Sequence, residues 1–344
     1  MNRRFPCIPR FSVALFAGLA MLATIAPLAE AVESPSVAAL DASGAIQTAQ
    51  HQFNLGNYTA AIKTLQSAPQ VLTNAEVQYW IGRSYYELRD YDNAITAAEK
   101  SVELDAKNSL YHEWLGRIYG GKADRDRSFS YARKVKKEFE EAVRLNPSNT
   151  DARRDLEQYS MEAPWVVGGS KDEAKEQVTA IEAIDPVEGH LARAAYDLDA
   201  KKPELAEKEY RDVLAAKPKK AEPYFDVLNF FIHQNKPAEV EAVIQAAALV
   251  SPNDPRFAYY RGVSRVLSGS DLPRGEEYLK SYLASSPDRS DWPSHAAARE
   301  WLGRLYEAEG KRAEAAEQYR AALQLDPGRK EAKSRLEKLE KSSR

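Results

Sequence analysis

Three short segments of this 344-residue chain share one pattern: tryptophan, an aliphatic residue, glycine, arginine, any residue and tyrosine. The segments are YWIGRSYY at 79–86, EWLGRIYG at 113–120 and EWLGRLYE at 300–307. A catalytic motif normally occurs once in a chain, whereas a structural unit that stacks on copies of itself must recur. The pattern therefore predicts a repeat architecture rather than a single globular core.

The spacing of the pattern identifies the kind of repeat. The interval from Gly82 to Gly116 spans one period, and the period at 75–108 reads AEVQYWIGRSYYELRDYDNAITAAEKSVELDAKN. This unit resembles the tetratricopeptide repeat, and residues 296–329 fit the same frame. The resemblance implies two helices of about a dozen residues joined by a short turn, each with an apolar stripe of helical period. In that frame the glycine allows the two helices to cross closely, and the tryptophan, aliphatic and tyrosine positions are mostly packing positions.

Prolines mark the ends of the units, because proline cannot continue a helix and disfavours helix in the residue before it. The prolines that follow apolar helical stretches are Pro147, Pro186, Pro218, Pro252, Pro287 and Pro327. We predict an all-α superhelix of about eight helix-turn-helix units, at 42–74, 75–108, 109–149, 150–186, 187–220, 221–254, 255–289 and 296–329. Residues 330–344 place Ala332, Leu336 and Leu339 on one face and are predicted to form a polar capping helix.

Two units depart from the repeat, and the departures divide the chain. The third unit, at 109–149, is longer than the second because it has additional sequence near 120–130, and the fourth, at 150–186, replaces its turn with PWVVGG. We therefore predict N-terminal units at 42–149, a divergent unit at 150–186 and C-terminal units at 187–329.

These departures resemble an exported bacterial family of tetratricopeptide repeat proteins. The resemblance covers roughly residues 75–195 and implies an exported location and this architecture, but no particular activity. The residues that carry it are Ala132-Arg133-Lys134, Ala163-Pro164, Gly168-Gly169, Lys171 to Ala174, Asp185-Pro186 and Gly189-His190.

The N-terminus has the order of a secretory signal peptide. Three arginines precede an apolar run from Phe11 to Leu28, and Ala29-Glu30-Ala31 follows as an A-x-A cleavage pattern. We predict a signal peptide at 1–31, a linker at 32–41 and a periplasmic or secreted mature protein; the alternative is an uncleaved membrane anchor. Cleavage would remove three arginines and one glutamate, which changes the net charge from −3 to −5. Such a mild balance gives no case for nucleic-acid binding.

The motifs of common active sites are incomplete in this sequence. The only cysteine, Cys7, lies in the predicted signal peptide, so the mature chain would lack thiolate chemistry. His112-Glu113 begins like a zinc-protease motif, but Gly116 stands where the second histidine is required. GGSKDE at 168–173 lacks the spacing of a phosphate-binding loop, and Ser170 with Glu173 has the spacing of a helix capping box. We predict no cofactor, no metal and no enzyme activity, although a site assembled from serine and carboxylates would leave no readable spacing.

Residues 122–137 form a basic segment with seven basic and two acidic residues. We consider two readings: a surface for an acidic partner, an anionic lipid headgroup or an anionic polysaccharide, or the solvated face of an ordinary helix. The candidate binding residues of this segment are Arg133, Lys134, Lys136 and Lys137.

The arginine of the repeated pattern is the position that packing does not explain. The resemblance implies that Arg83 and Arg117 face the concave wall of the superhelix, where they could bind carboxylates of a peptide, with Tyr79 and Tyr86 on nearly the same face. In the alternative reading Glu113–Arg117 and Glu300–Arg304 are plain surface ion pairs, and Arg83 stacks on an aromatic ring.

We predict a non-catalytic scaffold or adaptor of the bacterial cell envelope that binds an extended peptide or a protein partner in its groove. The alternative is an accessory subunit or an enzyme of envelope biogenesis, for example in polysaccharide or protein export.

Overall fold

The computed structural model describes residues 41–341, so the predicted signal peptide lies outside the described residues. In this range the chain forms seventeen α-helices and no β-strand, which confirms the predicted all-α superhelix. The helices are α1 Ala42–Asn54, α2 Tyr58–Gln66, α3 Ala75–Glu87, α4 Tyr91–Leu104, α5 Ser109–Asp126, α6 Phe129–Leu145, α7 Thr150–Glu162, α8 Lys171–Ile184, α9 Pro186–Asp199, α10 Pro203–Ala215, α11 Glu222–His233, α12 Pro237–Val250, α13 Arg256–Ser268, α14 Leu272–Ser285, α15 His295–Ala308, α16 Arg312–Leu325 and α17 Lys330–Lys341.

Asparagines start the first helices of the second, third and fourth pairs. The side chains of Asn74, Asn108 and Asn149 each accept a hydrogen bond from a backbone N–H in the first turn of α3, α5 and α7. An N-cap of this kind satisfies N–H groups that have no partner inside the helix, and it contributes about 0.5–2 kcal/mol. These caps give the three helices a common origin from which equivalent positions can be counted.

Within a pair, glycine permits the close helix crossing that the repeat pattern predicts. A Cβ atom added to Gly82 would lie 3.3 Å from the backbone of α4, and one added to Gly116 would lie 2.5 Å from the ring of Phe139. The fully buried Phe139 thus occupies the space that a side chain at position 116 would need.

The additional residues of the third unit lengthen both of its helices. The helices α5 and α6 have 18 and 17 residues, against 13 and 14 in α3 and α4. Arg127, in the left-handed conformation with φ 52°, ends α5.

The divergent segment after α7 forms a compact turn. The helix ends at Glu162, before Pro164, and a short 3-10 helix, Trp165–Val167, leads to Gly168 with φ 101°. Glycine suits this positive φ because it has no Cβ. The hydroxyl of Ser170 then accepts a hydrogen bond from Glu173 N at the start of α8, as the capping spacing predicts.

The first helices of successive pairs contact one another along the array. Contacts join α1 to α3, α3 to α5 and so on to α15, and each second helix also packs against the first helix of the next pair. The helix α17 covers the last pair: Ala332 is fully buried there, and Leu336 and Leu339 pack against the same apolar cluster. The predicted capping helix is therefore confirmed.

One loop connects the late part of the array with its beginning. Residues 286–294, between α14 and α15, contact the first two pairs, and Glu87 accepts hydrogen bonds from both the backbone N–H and the hydroxyl of Ser290, each at 2.8 Å. The hydroxyl of Tyr58 donates to the carbonyl of Asp288 at 2.9 Å. We call this loop and its contacts the clasp, because it closes the superhelix on itself.

Candidate functional site

Arg83 lies on α3 inside a box of aromatic rings. Its guanidinium carbon is 4.9 Å from the ring centroid of Phe53, 5.6 Å from Tyr79, 4.7 Å from Trp80 and 4.0 Å from Trp114. These distances are within the range in which a cation is attracted to the face of a ring. The four rings come from three consecutive units, so the box exists only in the assembled array.

The hydrogen-bonding capacity of Arg83 is largely unused. Its Nη1 donates to the hydroxyl of Tyr79 at 3.3 Å, and its Nε is buried with no hydrogen-bond partner. No carboxylate of residues 41–341 forms an ion pair with this guanidinium. Arginine carries five N–H donors in a rigid fork that matches a carboxylate, and Arg83 uses one of them in a hydrogen bond within the described residues.

Arg117 has the equivalent position on α5, but its charge is neutralised within the protein. Its Nη2 lies 2.6 Å from Glu113 Oε1 and its Nε lies 2.5 Å from Asp155 Oδ2. Both carboxylates are almost completely buried. Burial alone would lower the pKa of Arg117, but the two carboxylates raise it above its usual range. The Glu113–Arg117 pair of the alternative reading is present, although it is a buried pair and not a surface pair.

The contacts of the two arginines differ because the next unit along the chain presents a different residue to each of them. Asp155 is the sixth residue after the N-cap Asn149, and Trp114 is the sixth residue after the N-cap Asn108. Arg117 therefore meets a carboxylate at the place where Arg83 meets an indole ring.

The two predicted tyrosines have different positions. Tyr79 belongs to the box, and its ring also lies 5.2 Å from that of Tyr111. Burial raises the pKa of Tyr79, with Arg83 opposing the shift, so its hydroxyl is neutral near pH 7. Tyr86 packs instead against Tyr91 and Trp114, with ring centroids 5.8 and 6.0 Å apart. The sequence reasoning misses Phe53, Trp80 and Trp114, because it assigns the tryptophan of this pattern to packing.

The third copy of the pattern differs again. Arg304 lies over the ring of Trp301 at 3.8 Å. Glu300, which the alternative reading pairs with Arg304, is buried and instead binds Arg329 at 2.7 Å. The proposed Glu300–Arg304 surface pair is thus replaced by a contact to the turn before α17.

Comparison with known proteins agrees with this architecture. Sequence models described as "Tetratricopeptide repeat" match residues 75–108 and 265–330. These two parts of the chain are tetratricopeptide repeats. No curated protein sequence matches the chain.

Several solved structures are similar to this repeat protein at low sequence identity. A thermophilic repeat protein of Thermus thermophilus is 18% identical, with 55% of this chain and 98% of that chain covered and a TM-score of 0.45. A repeat protein of Parabacteroides merdae is 13% identical, with coverages of 86% and 97% and a TM-score of 0.46. YrrB, described as a repeat protein with an unusual peptide-binding site, is 18% identical, with coverages of 51% and 86% and a TM-score of 0.36.

The basic segment of the repeat protein is partly neutralised by its own carboxylates. Lys122 lies 2.5 Å from Asp92 and 2.8 Å from Asp126. Lys136 donates to the carbonyl of Gly168 and lies 2.9 Å from Glu173. These two contacts connect α6 with the turn before α8 and with the first turn of α8.

The remaining candidates of the segment face the solvent. Arg133, Lys134 and Lys137 are exposed, and Lys134 also lies 4.7 Å from the ring centroid of Tyr119. A basic surface therefore depends on these three residues, whereas Lys136 has an internal role.

One group of side chains in the described range could offer ligands to a metal. The ligand atoms of His190, Glu209 and Asp212 lie within 4.8 Å of one another. His190 Nδ1 is 2.6 Å from Glu209, and Lys208 Nζ lies 3.2 Å from Asp212. These contacts pair the histidine with Glu209 and the lysine with Asp212, so ion pairing within the chain accounts for the group. Among residues 41–341, no helix combines the length and apolar character needed to cross a membrane.

Proposed function

We propose that this protein is a non-catalytic scaffold that binds an acidic segment of a partner protein in its concave groove, with Arg83 contacting a carboxylate of that segment. The observation that carries the proposal is the Arg83 guanidinium, which has four aromatic rings around it and no carboxylate of the described chain beside it. Arg117 is not proposed as a contact of equal weight, because Glu113 and Asp155 already occupy it.

The aromatic box supports this role because it fixes the guanidinium before a partner arrives. A side chain that is already ordered loses less conformational freedom on binding, which favours affinity. The neutral hydroxyl of Tyr79 also holds one end of the fork. A carboxylate that accepted two of the remaining donors would form the bidentate geometry that arginine favours.

The same contacts also support a purely structural role, in which Arg83 stabilises the packing of the first three units. Cation–π contacts contribute about 0.5–2 kcal/mol each, depending on how far they are desolvated. The two roles differ in one measurable respect. Only in a binding role does the contribution of an acidic group of the partner to the binding affinity depend on the residue at position 83.

A double-mutant design tests the binding role. Peptides would be selected from a random library with the wild-type protein, and each aspartate or glutamate of the best binder would be replaced by its amide. We expect one replacement to weaken binding to wild type by about 1.5–3 kcal/mol, the range for a hydrogen bond to a charged group, and to have little effect on Arg83→Gln. Arg312→Gln, at an exposed arginine of α16, is the matched control and should behave as wild type.

Two results would contradict the proposal. One is a selected peptide that binds Arg83→Gln and wild type equally well. The other is a set of binders that have neither an acidic side chain nor a free C-terminal carboxylate in common.

We also propose that the protein is exported and acts in the periplasm or outside the cell. The basic, apolar and A-x-A order of residues 1–31 supports export. N-terminal sequencing of the protein from its native host should find Val32 as the first residue. Met1 at the start of the envelope-associated protein would overturn this proposal.

A further inference from the structure

A small pocket lies in the third and fourth units and shares no residue with the Arg83 box. It is formed by the end of α5, the start of α6, the end of α7 and the turn that follows, and its volume is about 210 Å³. Most of its wall is apolar, with Phe129, Ala132, Val135 and Val167 among the lining residues. Pockets for drug-sized ligands have volumes of roughly 300–1,000 Å³, so this one suits a smaller molecule.

The pocket contains a carboxyl group that the protein leaves without a partner. Asp124 lines the wall, and its Oδ2 is buried with no hydrogen-bond partner. Burial raises the pKa of Asp124 to about 7, and the charge of Glu162 acts in the same direction. A buried polar atom without a partner is unfavourable, so the folded chain keeps this carboxyl group at a cost to stability.

The charges around Asp124 are mainly negative. Glu162 also lines the pocket and accepts a hydrogen bond from Gln158 at 3.1 Å. Arg127 is exposed at the rim and forms no ion pair with Asp124 among the described contacts. The pocket therefore lacks an internal cation at the place where its chemistry favours one.

We infer that this pocket binds a small primary alkylammonium ion, with the ammonium group on Asp124 and the alkyl chain against the apolar wall. An ammonium group donates three hydrogen bonds and would satisfy Oδ2, while Glu162 adds a second negative charge nearby. The alkyl chain would cover part of Phe129, which is 50% exposed, and this gains free energy from the burial of apolar surface. An anion of the same size is disfavoured by both carboxylates.

This inference is independent of the proposed function. The Arg83 box selects a carboxylate, whereas the pocket selects a cation, and a variant of either site leaves the residues of the other unchanged. Failure of one proposal would therefore leave the other standing.

Binding of three probes with the same alkyl chain tests the charge selectivity. Hexylammonium, hexan-1-ol and hexanoate would be titrated at pH 8 into the full mature chain and followed by protein-observed NMR or calorimetry. Because a hydrogen bond between charged groups is stronger than one to a neutral group, we expect hexylammonium to bind about tenfold more tightly than hexan-1-ol, and hexanoate more weakly than either.

Three variants locate the site. Asp124→Asn should reduce the affinity for hexylammonium about tenfold or more and leave hexan-1-ol nearly unchanged, because only the charge is removed. Ala123→Leu, which places additional volume at a lining residue, should weaken both. Asp172→Asn, at an exposed aspartate of α8 outside the pocket, is the matched control and should bind as wild type does.

The Asp124→Asn variant should fold, because it removes a buried charge that has no partner. A change in its affinity for hexylammonium can therefore be attributed to the lost charge. Equal affinities of wild type for hexylammonium and hexan-1-ol would overturn the inference. Unchanged hexylammonium binding in Asp124→Asn, or no binding to wild type at millimolar concentration, would overturn it as well.

Discussion

Arg83 and Trp114 are in contact across two adjacent units, with the guanidinium carbon 4.0 Å from the ring centroid. One unit further along, Arg117 meets Asp155 at the equivalent place, with Nε and Oδ2 2.5 Å apart. The same arginine of the same repeat pattern is therefore a buried ion-pair partner in one unit and an uncompensated cation in the other. The residue six positions after the N-cap of the following unit, Trp114 in one case and Asp155 in the other, accounts for this difference.

The first prediction compares these two arginines in stability. Arg117→Met would leave Glu113 and Asp155 buried without a counter-ion, and breaking a buried pair in this way costs about 3–5 kcal/mol. Arg83→Met loses the contacts with the rings and the hydrogen bond to Tyr79, but it also removes the desolvation cost of a cation that has no counter-ion, so we expect a net cost below about 2 kcal/mol. Urea denaturation followed by tryptophan fluorescence measures both values. Equal costs would show that Arg83 is as deeply structural as Arg117.

Part of this arrangement follows from the sequence and part does not. The glycine, tyrosine, alanine and proline spacing predicts helix pairs, because each pair is stabilised by neighbours that are close to it in the sequence. The pattern also places Arg83 and Arg117 at equivalent positions. It places Asp155 and Trp114 at the same position of their units, but it does not reveal that this position contacts the arginine of the preceding unit, because one repeat pattern does not show which residues of adjacent units touch.

Contacts between distant parts of the chain are the least predictable from the sequence. The hydrogen bonds between Glu87 and Ser290 join residues 203 positions apart. They depend on how all the intervening units are rotated relative to one another, and a local sequence pattern does not determine that rotation. The capping helix was predictable because its apolar face matches the adjacent last pair, whereas the clasp was not.

The second prediction concerns the clasp. Glu87→Ala removes both acceptors of Ser290, so the loop should separate more often from the first two pairs. The Ser290 amide hydrogen reports this directly, because its N–H donates to Glu87 at 2.8 Å. We expect its hydrogen exchange to become at least about tenfold faster, since a hydrogen bond to a charged group contributes about 1.5–3 kcal/mol. Glu103→Ala, at an exposed residue of α4, is the control, and an unchanged Ser290 exchange rate in Glu87→Ala would contradict the prediction.

The third prediction concerns the basic segment. Arg133, Lys134 and Lys137 changed together to glutamine should lower the salt concentration at which the protein elutes from an immobilised anionic polysaccharide, if the segment is a binding surface. The difference in affinity for the polysaccharide between the variant and the wild type should be largest at low ionic strength, where screening is weakest. Identical elution of the variant and the wild type would leave the segment as a solvated helix face.

Lys136→Gln is the matched comparison within the same helix. Because Lys136 binds Gly168 and Glu173, we expect this change to lower thermal stability and to leave elution nearly unchanged. The reverse result, with weaker retention and unchanged stability, would show that Lys136 belongs to the binding surface.

The fourth prediction is a pH dependence of stability that arises from Glu157 on α7. This carboxyl group is 3% exposed and its Oε1 has no hydrogen-bond partner. Burial raises its pKa to about 8; Arg154 opposes the shift, and Asp199 and Glu162 add to it. Between pH 4.5 and 8 the unfolded chain has released this proton while the folded chain still holds it, so stability falls as the pH rises through this window.

Glu157→Gln should remove this dependence, because the amide stays neutral in both states. The unfolding free energy of the variant minus that of wild type should therefore increase from pH 5 to pH 8, by at most about 1.4 kcal/mol for each pH unit. Taking the difference cancels the contributions of the other titrating groups, and Glu103→Gln, on an exposed carboxylate, should give a flat difference. A flat difference for Glu157→Gln as well would mean that Glu157 is already ionised in the folded protein near pH 5, and that water or Arg154 solvates the charge more effectively than its burial indicates.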